Sequence, residues 1–121
     1  MHPNVDRVTA AASAAGLEIE VRRFPEGTRT AADAARAIGC EVAQIVKSLV
    51  FMADAAPVLA LVSGANLADT DALAREVGAG SVRRASGEEA RAVTGFAIGG
   101  VPPIGHDGAI RVVIDRALTT H

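Results

Sequence analysis

The segment VKSLVFMADAAPVLALV, residues 46–62, carries the clearest structural signal in this chain. Two nearly continuous apolar runs, residues 46–52 and 57–62, are separated by the four residues 53–56. Apolar runs of this length, bounded by turn residues, predict strands that are buried on both faces. We therefore expect a hairpin of two buried strands at the centre of the fold.

The flanking sequence predicts helices and strands around this hairpin. Thr30 and Ser86 are residues that open helices, and glycines follow at the predicted helix ends. In the second helix, we expect Ala31, Ala34, Ala35 and Ile38 to form the buried stripe. Helices are predicted at 3–16, 30–39, 69–77 and 86–93, a helical turn at 41–45, and further strands at 18–24, 81–84 and 110–114.

The order of these elements lacks a regular alternation of strand and helix, so we predict an α+β fold. The 121 residues suit a single domain with one core. The predicted architecture is a mixed, mostly antiparallel sheet flanked by helices. Neither internal repeats nor long linkers divide the chain.

Composition limits the function classes that fit. The net charge is -2 and the only aromatic residues are three phenylalanines, so neither a broad basic surface for DNA nor a base-stacking platform is expected. A nucleic-acid partner would have to be bound locally, at one end. The single cysteine, Cys40, excludes an internal disulfide and fits a reducing cytoplasm. We identify neither a signal peptide nor an apolar run long enough for a membrane span.

Lys47 is the only lysine among twelve basic residues, and it lies inside the apolar run IVKSLVF. Strand alternation places Lys47, Leu49 and Phe51 on one face. Burial lowers the pKa of a lysine, and lysines of that kind gather in active sites. The alternative is an edge lysine whose ammonium reaches solvent.

The loop GGVPPIGH, residues 99–106, is the second candidate. Gly99 and Gly100 allow close approach of the backbone to a ligand, and Pro102 and Pro103 stiffen the loop. The alternative is a tight structural connection. Ser63 and Gly64 end a predicted strand and either line a pocket or form a turn. The three histidines lack the spacing of metal ligands, so we expect no metal site.

Together these segments resemble the YbaK/EbsC family. TRTAADAARAIGCEVAQIVKSLVF resembles one family signature, TGFAIGGVPPIGH a second, and LVSGANLADTDALAREVGA the segment between them. The resemblance covers nearly the whole chain in the right order. The family is similar to the editing domain inserted in bacterial prolyl-tRNA synthetases.

The resemblance implies an aminoacyl-tRNA deacylase. Such enzymes hydrolyse the ester of a small amino acid, such as Ala or Cys, on proline tRNA without a metal or cofactor. Lys47 matches the catalytic lysine of the family. The family's Gly-x-x-Pro loop matches Gly100–Pro103, and Thr30 falls where family members place residues of the pocket wall. Together with Gly99 and Ser63 from the residue pattern, the expected substrate-binding residues are Gly99, Gly100, Val101, Pro102, Pro103, Thr30 and Ser63. The expected partner is the acceptor end of aminoacyl-tRNA, with neither DNA nor a membrane. The alternatives are a tRNA- or nucleotide-binding module without significant catalysis, and a structural domain without a site.

The chain departs from the family pattern after residue 114. Family members continue with a strand and a helix, and this chain ends at RALTTH. We therefore expect residues 1–121 to form the editing domain without that C-terminal strand and helix. The open edge of the sheet is then expected to recruit a second copy of the chain, giving a homodimer.

Overall fold

A long antiparallel hairpin forms the centre of the computed structural model, which describes residues 3–21, 30–97, 101–106 and 110–120. Strands β1 (Val46–Ala53) and β2 (Ala56–Ser63) pair in full register, from Val46 opposite Ser63 to Ala53 opposite Ala56. Most residues of both strands are buried or half-buried. The prediction of a central buried hairpin is therefore confirmed.

Two shorter strands complete the described sheet, in the order β3-β1-β2-β4. Strand β3 (Val82–Arg84) pairs antiparallel with β1, and β4 (Arg111–Ile114) pairs parallel with β2. Two of the three pairings are thus antiparallel. The predicted α+β class with a mixed, mostly antiparallel sheet is confirmed.

The two faces of the sheet pack against different helices. On one face, Phe51, Val62 and their neighbours pack against Leu73 of α3 (Thr70–Val77). On the other face, Val50 and Leu59 pack against Ala90 of α4 (Gly87–Thr94). We call these the α3 face and the α4 face. Strand alternation therefore assigns each β1 side chain to one of the two.

The helices begin and end where the cap residues predict. Thr30 accepts a hydrogen bond from the Asp33 N–H at the start of α2 (Ala31–Ile38), and Asp69 and Ser86 cap α3 and α4 in the same way. The remaining elements are α1 (Pro3–Ala14) and short 3₁₀ turns at Val42–Gln44 and Arg116–Thr120. Within the described ranges, each helix is too short or too polar to cross a bilayer.

Two sequence predictions are wrong. Residues 18–21 form no strand, and residues 22–24 of that predicted strand lie outside the described ranges. Ile19 and Val21 instead line a pocket of about 270 Å³ together with Val5 and Val8 of α1, and they stay 48% and 39% exposed. Ile38 is 44% exposed, because α2 buries only Ala35 fully and ends at Gly39, one residue later.

Candidate active site

Lys47 is the second residue of β1, at the end of the sheet where β2 finishes. Its side chain is half-buried and belongs to the α3 face, as alternation with Leu49 requires. The Nζ atom donates a hydrogen bond to the carbonyl oxygen of Asn66, at 2.5 Å. The lysine side chain is therefore held at this end of the sheet, and part of it remains accessible to solvent.

The turn after β2 supplies the partner of Lys47. Ser63 is completely buried, and its hydroxyl donates to the carbonyl of Ala43 at 2.7 Å. The Gly64 N–H donates to the carbonyl of Ile45 at 2.7 Å, and the Asn66 N–H donates to that of Ser63 at 2.9 Å. These bonds fix the turn to the segment preceding β1. As a result, the Asn66 carbonyl is presented to Lys47 by a rigid backbone.

Asp115 closes this network from the far end of the sequence. Its backbone N–H donates to Leu61 at 2.7 Å, which extends the β2–β4 pairing by one residue. Its Oδ2 accepts hydrogen bonds from Asn66 Nδ2 at 2.9 Å and from the Ser63 N–H at 3.0 Å, and its Oδ1 accepts from the Ala117 N–H at 3.0 Å. Asp115 thus joins the turn, β2 and β4.

The charge state of Asp115 follows from these contacts. Hydrogen bonds from Asn66, then from the Ala117 and Ser63 N–H groups, hold the pKa of the Asp115 carboxyl below its ordinary value. Partial burial opposes this shift, and the positive charge of Lys47 adds to it. We call Lys47, Ser63, Asn66 and Asp115 the lysine cluster. It brings the Lys47 side chain near a carboxylate that is charged at neutral pH.

Gly64 lets α2 approach the lysine cluster closely. A Cβ atom at this position would lie 2.5 Å from the carbonyl oxygen of Val42 and 2.9 Å from the Cβ of Ala31. Real Cβ atoms essentially never come this close, so only glycine fits without a shift. Thr30, which precedes Ala31, is exposed, and its hydroxyl caps α2 at 3.1 Å from the Asp33 N–H.

A groove of about 740 Å³ opens beside the cluster, between α3 and the outer strand β4. Val62, Asn66 and Asp115 form its end nearest Lys47. Its walls combine apolar side chains with charged ones from both elements, including Arg111 and Glu76. An extended ligand in the groove would therefore reach the lysine cluster at one end.

The described part of the glycine–proline loop lies elsewhere. Val101 packs against the α4 face, and the Pro102 carbonyl is bonded to His106. Gly99 and Gly100 lie outside the described residues, and Pro103 is exposed. Since Lys47 belongs to the α3 face, the contacts of Val101 and of Lys47 involve opposite sides of the sheet. That the loop and Lys47 form one pocket stays a prediction.

The other sequence candidates occupy defined places. Thr30 is brought to the Ser63–Gly64 turn through the contact between Ala31 and Gly64. Ser63 is buried, and it joins the lysine cluster through its backbone N–H, which donates a hydrogen bond to Asp115. Within the described ranges, His, Cys, Asp and Glu side chains do not come together in groups of three that suit a metal ion.

Sequence reasoning missed Asn66 and Asp115. Asp115 comes directly after a predicted strand, at RVVID, and Asn66 lies in the turn SGAN that follows another; polar residues at strand ends are the signal that could have identified them. Their convergence depends on the parallel pairing of β2 with β4, and this pairing is not visible in the residue pattern.

Comparison with known proteins matches this chain to parts of larger enzymes. It is 41% identical over 73 residues to the proline–tRNA ligase of Streptococcus equi subsp. equi (strain 4047), covering 60% of this chain and 12% of that enzyme. It is 35% identical over 92 residues to the proline–tRNA ligase of Nitratidesulfovibrio vulgaris (strain DP4), covering 76% of this chain and 16% of that enzyme. The chain thus spans a small fraction of these relatives.

A solved structure matches over the whole chain. It is described as a candidate trans-editing enzyme for prolyl tRNA synthetase, is 44% identical, and superposes with a TM-score of 0.91 over 100% of this chain and 77% of its own. The family model of the aminoacyl-tRNA editing domain matches residues 25–121. This chain therefore belongs to the aminoacyl-tRNA editing domain family.

Proposed function

We propose that this chain is a deacylase that hydrolyses the ester between a wrongly attached amino acid and the 3′-terminal adenosine of tRNA. The observation that carries the proposal is the lysine cluster. Lys47 is held by the Asn66 carbonyl, and Asn66 and Asp115 line the end of a groove. The chain belongs to the aminoacyl-tRNA editing domain family. A positioned, half-buried ammonium beside a groove suits ester hydrolysis.

The proposed reaction needs one water molecule and one cation. Water attacks the ester carbonyl carbon, and negative charge develops on the carbonyl oxygen. The C–O bond to the ribose then breaks, the ribose hydroxyl takes a proton from the attacking water, and the free amino acid leaves. An ammonium has three N–H bonds, and Asn66 occupies one of those of Lys47. The others are proposed to stabilise the oxyanion.

Asp115 is proposed to support this chemistry in two ways. It bonds Asn66 and thereby fixes the acceptor that orients Lys47. Its negative charge also favours a second cation nearby, and the α-ammonium of an aminoacyl ester is one. Because Asn66 and Ser63 already bond its Oδ2, the carboxylate is held in one orientation before the substrate arrives.

The proposed substrate is a small amino acid, such as Ala or Cys, on proline tRNA. The support is that the relatives are proline–tRNA ligases and that the solved relative is described as acting for prolyl tRNA synthetase. Gly99, Gly100, Val101, Pro102, Pro103, Thr30 and Ser63 remain the proposed substrate-binding residues. The reaction is proposed to need neither metal nor cofactor and to take place in the cytoplasm. Full activity in the presence of EDTA would support metal independence.

The partner is proposed to be the acceptor end of tRNA rather than DNA. A second copy is a further proposed partner, through the outer edge of β4, where Val112 and Ile114 are 43% and 56% exposed. In an antiparallel pair of β4 strands centred on Val113, Arg111 would face Asp115 of the second copy, so the charges match. A C-terminal extension of the kind the family carries would cover the same edge. Light scattering on both lengths of chain distinguishes a dimer from a monomer.

The decisive experiment measures deacylation of proline tRNA charged with Ala, Cys, Ser or Thr. We expect Lys47→Ala to lower the rate about 10²-fold or more, because a donor to the oxyanion is lost. Lys47→Arg should fail as well, since a planar guanidinium does not replace a compact ammonium.

Arg36→Ala is the matched control, because its side chain is 78% exposed on α2 and its removal deletes one positive charge elsewhere. Wild-type rates for Lys47→Ala, with an unchanged melting temperature, would refute a catalytic role of Lys47. Tight binding of the tRNA without turnover by the wild type would favour a binding module instead.

A further inference from the structure

Asp115 is a charged carboxylate whose hydrogen bonds all come from neutral groups. Its Oδ2 accepts from Asn66 Nδ2 and from the Ser63 N–H, and its Oδ1 accepts from the Ala117 N–H. The Lys47 ammonium bonds the Asn66 carbonyl instead and acts on Asp115 only through space. Among the residues that the structure describes, the Asp115 carboxylate forms no ion pair. Its negative charge is therefore stabilised but not neutralised by a contacting cation of these residues.

The Asp115 carboxylate also retains one acceptor position. Its two oxygens offer about four lone-pair sites. Two donors occupy those of Oδ2, and one donor occupies one of those of Oδ1. The side chain is half-buried and lines the end of the groove between α3 and β4. A donor that enters this groove can therefore bond Oδ1, and a cationic donor would also pair with the charge.

An aminoacyl ester carries two groups that Lys47 and Asp115 complement together. Its carbonyl oxygen becomes negative during hydrolysis, and its α-ammonium, on the next carbon, is positive. The Lys47 ammonium suits the first group but repels the second, since like charges at short range disfavour each other. The Lys47 charge lies close enough to Asp115 to help lower the pKa of that carboxyl. One small substrate can therefore interact with both side chains at once.

We infer that Asp115 binds the α-ammonium of the substrate, so that the site selects tRNA esters with a free, charged α-amine. The inference rests on the proposed function and adds the class of ester that the site rejects. In an N-acylated ester, such as peptidyl-tRNA, an uncharged amide replaces the ammonium. Hydrogen bonds between two charged groups are stronger than those with a neutral donor, so the N-acylated ester binds less well. The chain would thereby spare peptidyl-tRNA while it removes single amino acids.

The test compares three esters of the same proline tRNA on the intact chain: alanyl, lactyl and N-acetylalanyl. Lactate replaces the α-ammonium by a hydroxyl without adding bulk, so it separates charge from size. Each kcat/KM is divided by the rate of spontaneous hydrolysis of the same ester, because the α-ammonium also activates the ester itself. We expect the wild type to prefer the alanyl ester over each of the other two by about 10- to 100-fold, the range that a hydrogen bond between charged groups gives.

Asp115→Asn tests the carboxylate itself. Asparagine has nearly the same shape and keeps one oxygen acceptor, but it carries no charge. We expect the preference for the alanyl over the lactyl ester to fall by about tenfold or more. If Asp115 only held the turn in place, both esters would slow alike and the preference would stay. Glu76→Gln is the matched control, because it removes one negative charge from an exposed side chain of the same groove, and it should keep the preference.

The outcomes separate this inference from the proposed function. A wild type that hydrolyses the alanyl and lactyl esters with equal normalised kcat/KM would overturn the α-ammonium role and leave the deacylase intact. A folded Asp115→Asn variant that keeps the full preference would overturn it as well. If Asp115→Asn does not fold, Asp115→Ser, which keeps a hydroxyl acceptor without charge, takes its place. A wild type that hydrolyses none of the three esters would overturn the proposed function, and the role of Asp115 with it.

Discussion

Replacing Gly64 by alanine is expected to damage both stability and the site. The backbone of Gly64 is not in the left-handed region, so the effect is one of space rather than of dihedral strain. The new methyl group would lie 2.5 Å from the Val42 carbonyl oxygen, a backbone atom, and 2.9 Å from the Ala31 Cβ. The carbonyl would have to retreat by about 0.9 Å to reach the 3.4 Å at which ordinary contact begins.

The magnitude follows from the rigidity of both neighbours. Forcing one extra methyl into a packed region typically costs about 1–3 kcal/mol in the free energy of unfolding. At roughly 4 °C per kcal/mol for a domain of this size, Tm should fall by about 4–12 °C. The Gly64 N–H, bonded to Ile45, and the Asn66 carbonyl belong to the same turn, so the displacement should also move the acceptor of Lys47.

Thermal denaturation and deacylation at a temperature well below Tm would measure the two effects separately. Gly80→Ala is the control, because its added Cβ would meet only Asp54 Oδ1 at 3.5 Å, an ordinary contact, without positive φ. If Gly64→Ala melted at the same temperature as Gly80→Ala, the close approach of α2 would not be tight. If it melted lower but kept full activity, the turn would not position Lys47.

Three further changes test other contacts. Asp115→Asn should lower the deacylation rate at neutral pH with little change in volume, because it removes the carboxylate charge beside the site; an unchanged rate would show that charge is irrelevant there. Bonds from Arg83 and the capped helix start lower the pKa of Glu89 from 4.5 to about 2, so its stabilising effect is complete above pH 4.5 and is lost as pH falls through about 2. Glu89→Gln should therefore flatten the fall of Tm in this acid range, and an unchanged slope would contradict the assignment. Thr94→Val should cost about 1–3 kcal/mol by leaving the buried N–H of Phe96 without its 3.1 Å acceptor, and an unchanged midpoint of urea denaturation would show that the N–H finds another partner.

The hairpin and the helix ends were predictable because their signals are local. The apolar run around Phe51, the cap at Ser86 and the stop at Gly95 each depend on neighbours within a few residues, and the structure confirms them. Ile19 and Val21 alternate with glutamates as a strand would, yet they form no strand and line an open pocket beside α1. An alternating pattern predicts which side chains share a face, but it does not show that the segment pairs with other strands in a sheet.

The candidate site was predictable only in part. Lys47 stands out because an apolar run rarely contains a lone lysine. Asn66 contacts Lys47 across 19 positions, but Asp115 joins the cluster through hydrogen bonds from Asn66 and Ser63, which are 49 and 52 positions away in sequence. Such contacts depend on the order of the strands in the sheet. The residues of β4 do not reveal that this strand pairs in parallel with β2.

The parallel pairing of β2 with β4 also determines when the site forms during folding. The two strands of the hairpin are joined by the turn at Asp54–Ala55, so they can pair early, at small loop-closure entropy. The Ser63 N–H and the Asp115 carboxylate are 52 residues apart, and their bond requires β4 to dock on a hairpin that already exists. Phe51, opposite Val58, is a hydrogen-bonded position of the hairpin, so pulsed hydrogen exchange should protect the Phe51 amide before that of Ser63. A chain released or cleaved before β4 docks would keep the hairpin and Lys47 but lack the carboxylate, so completion of the site coincides with completion of the fold.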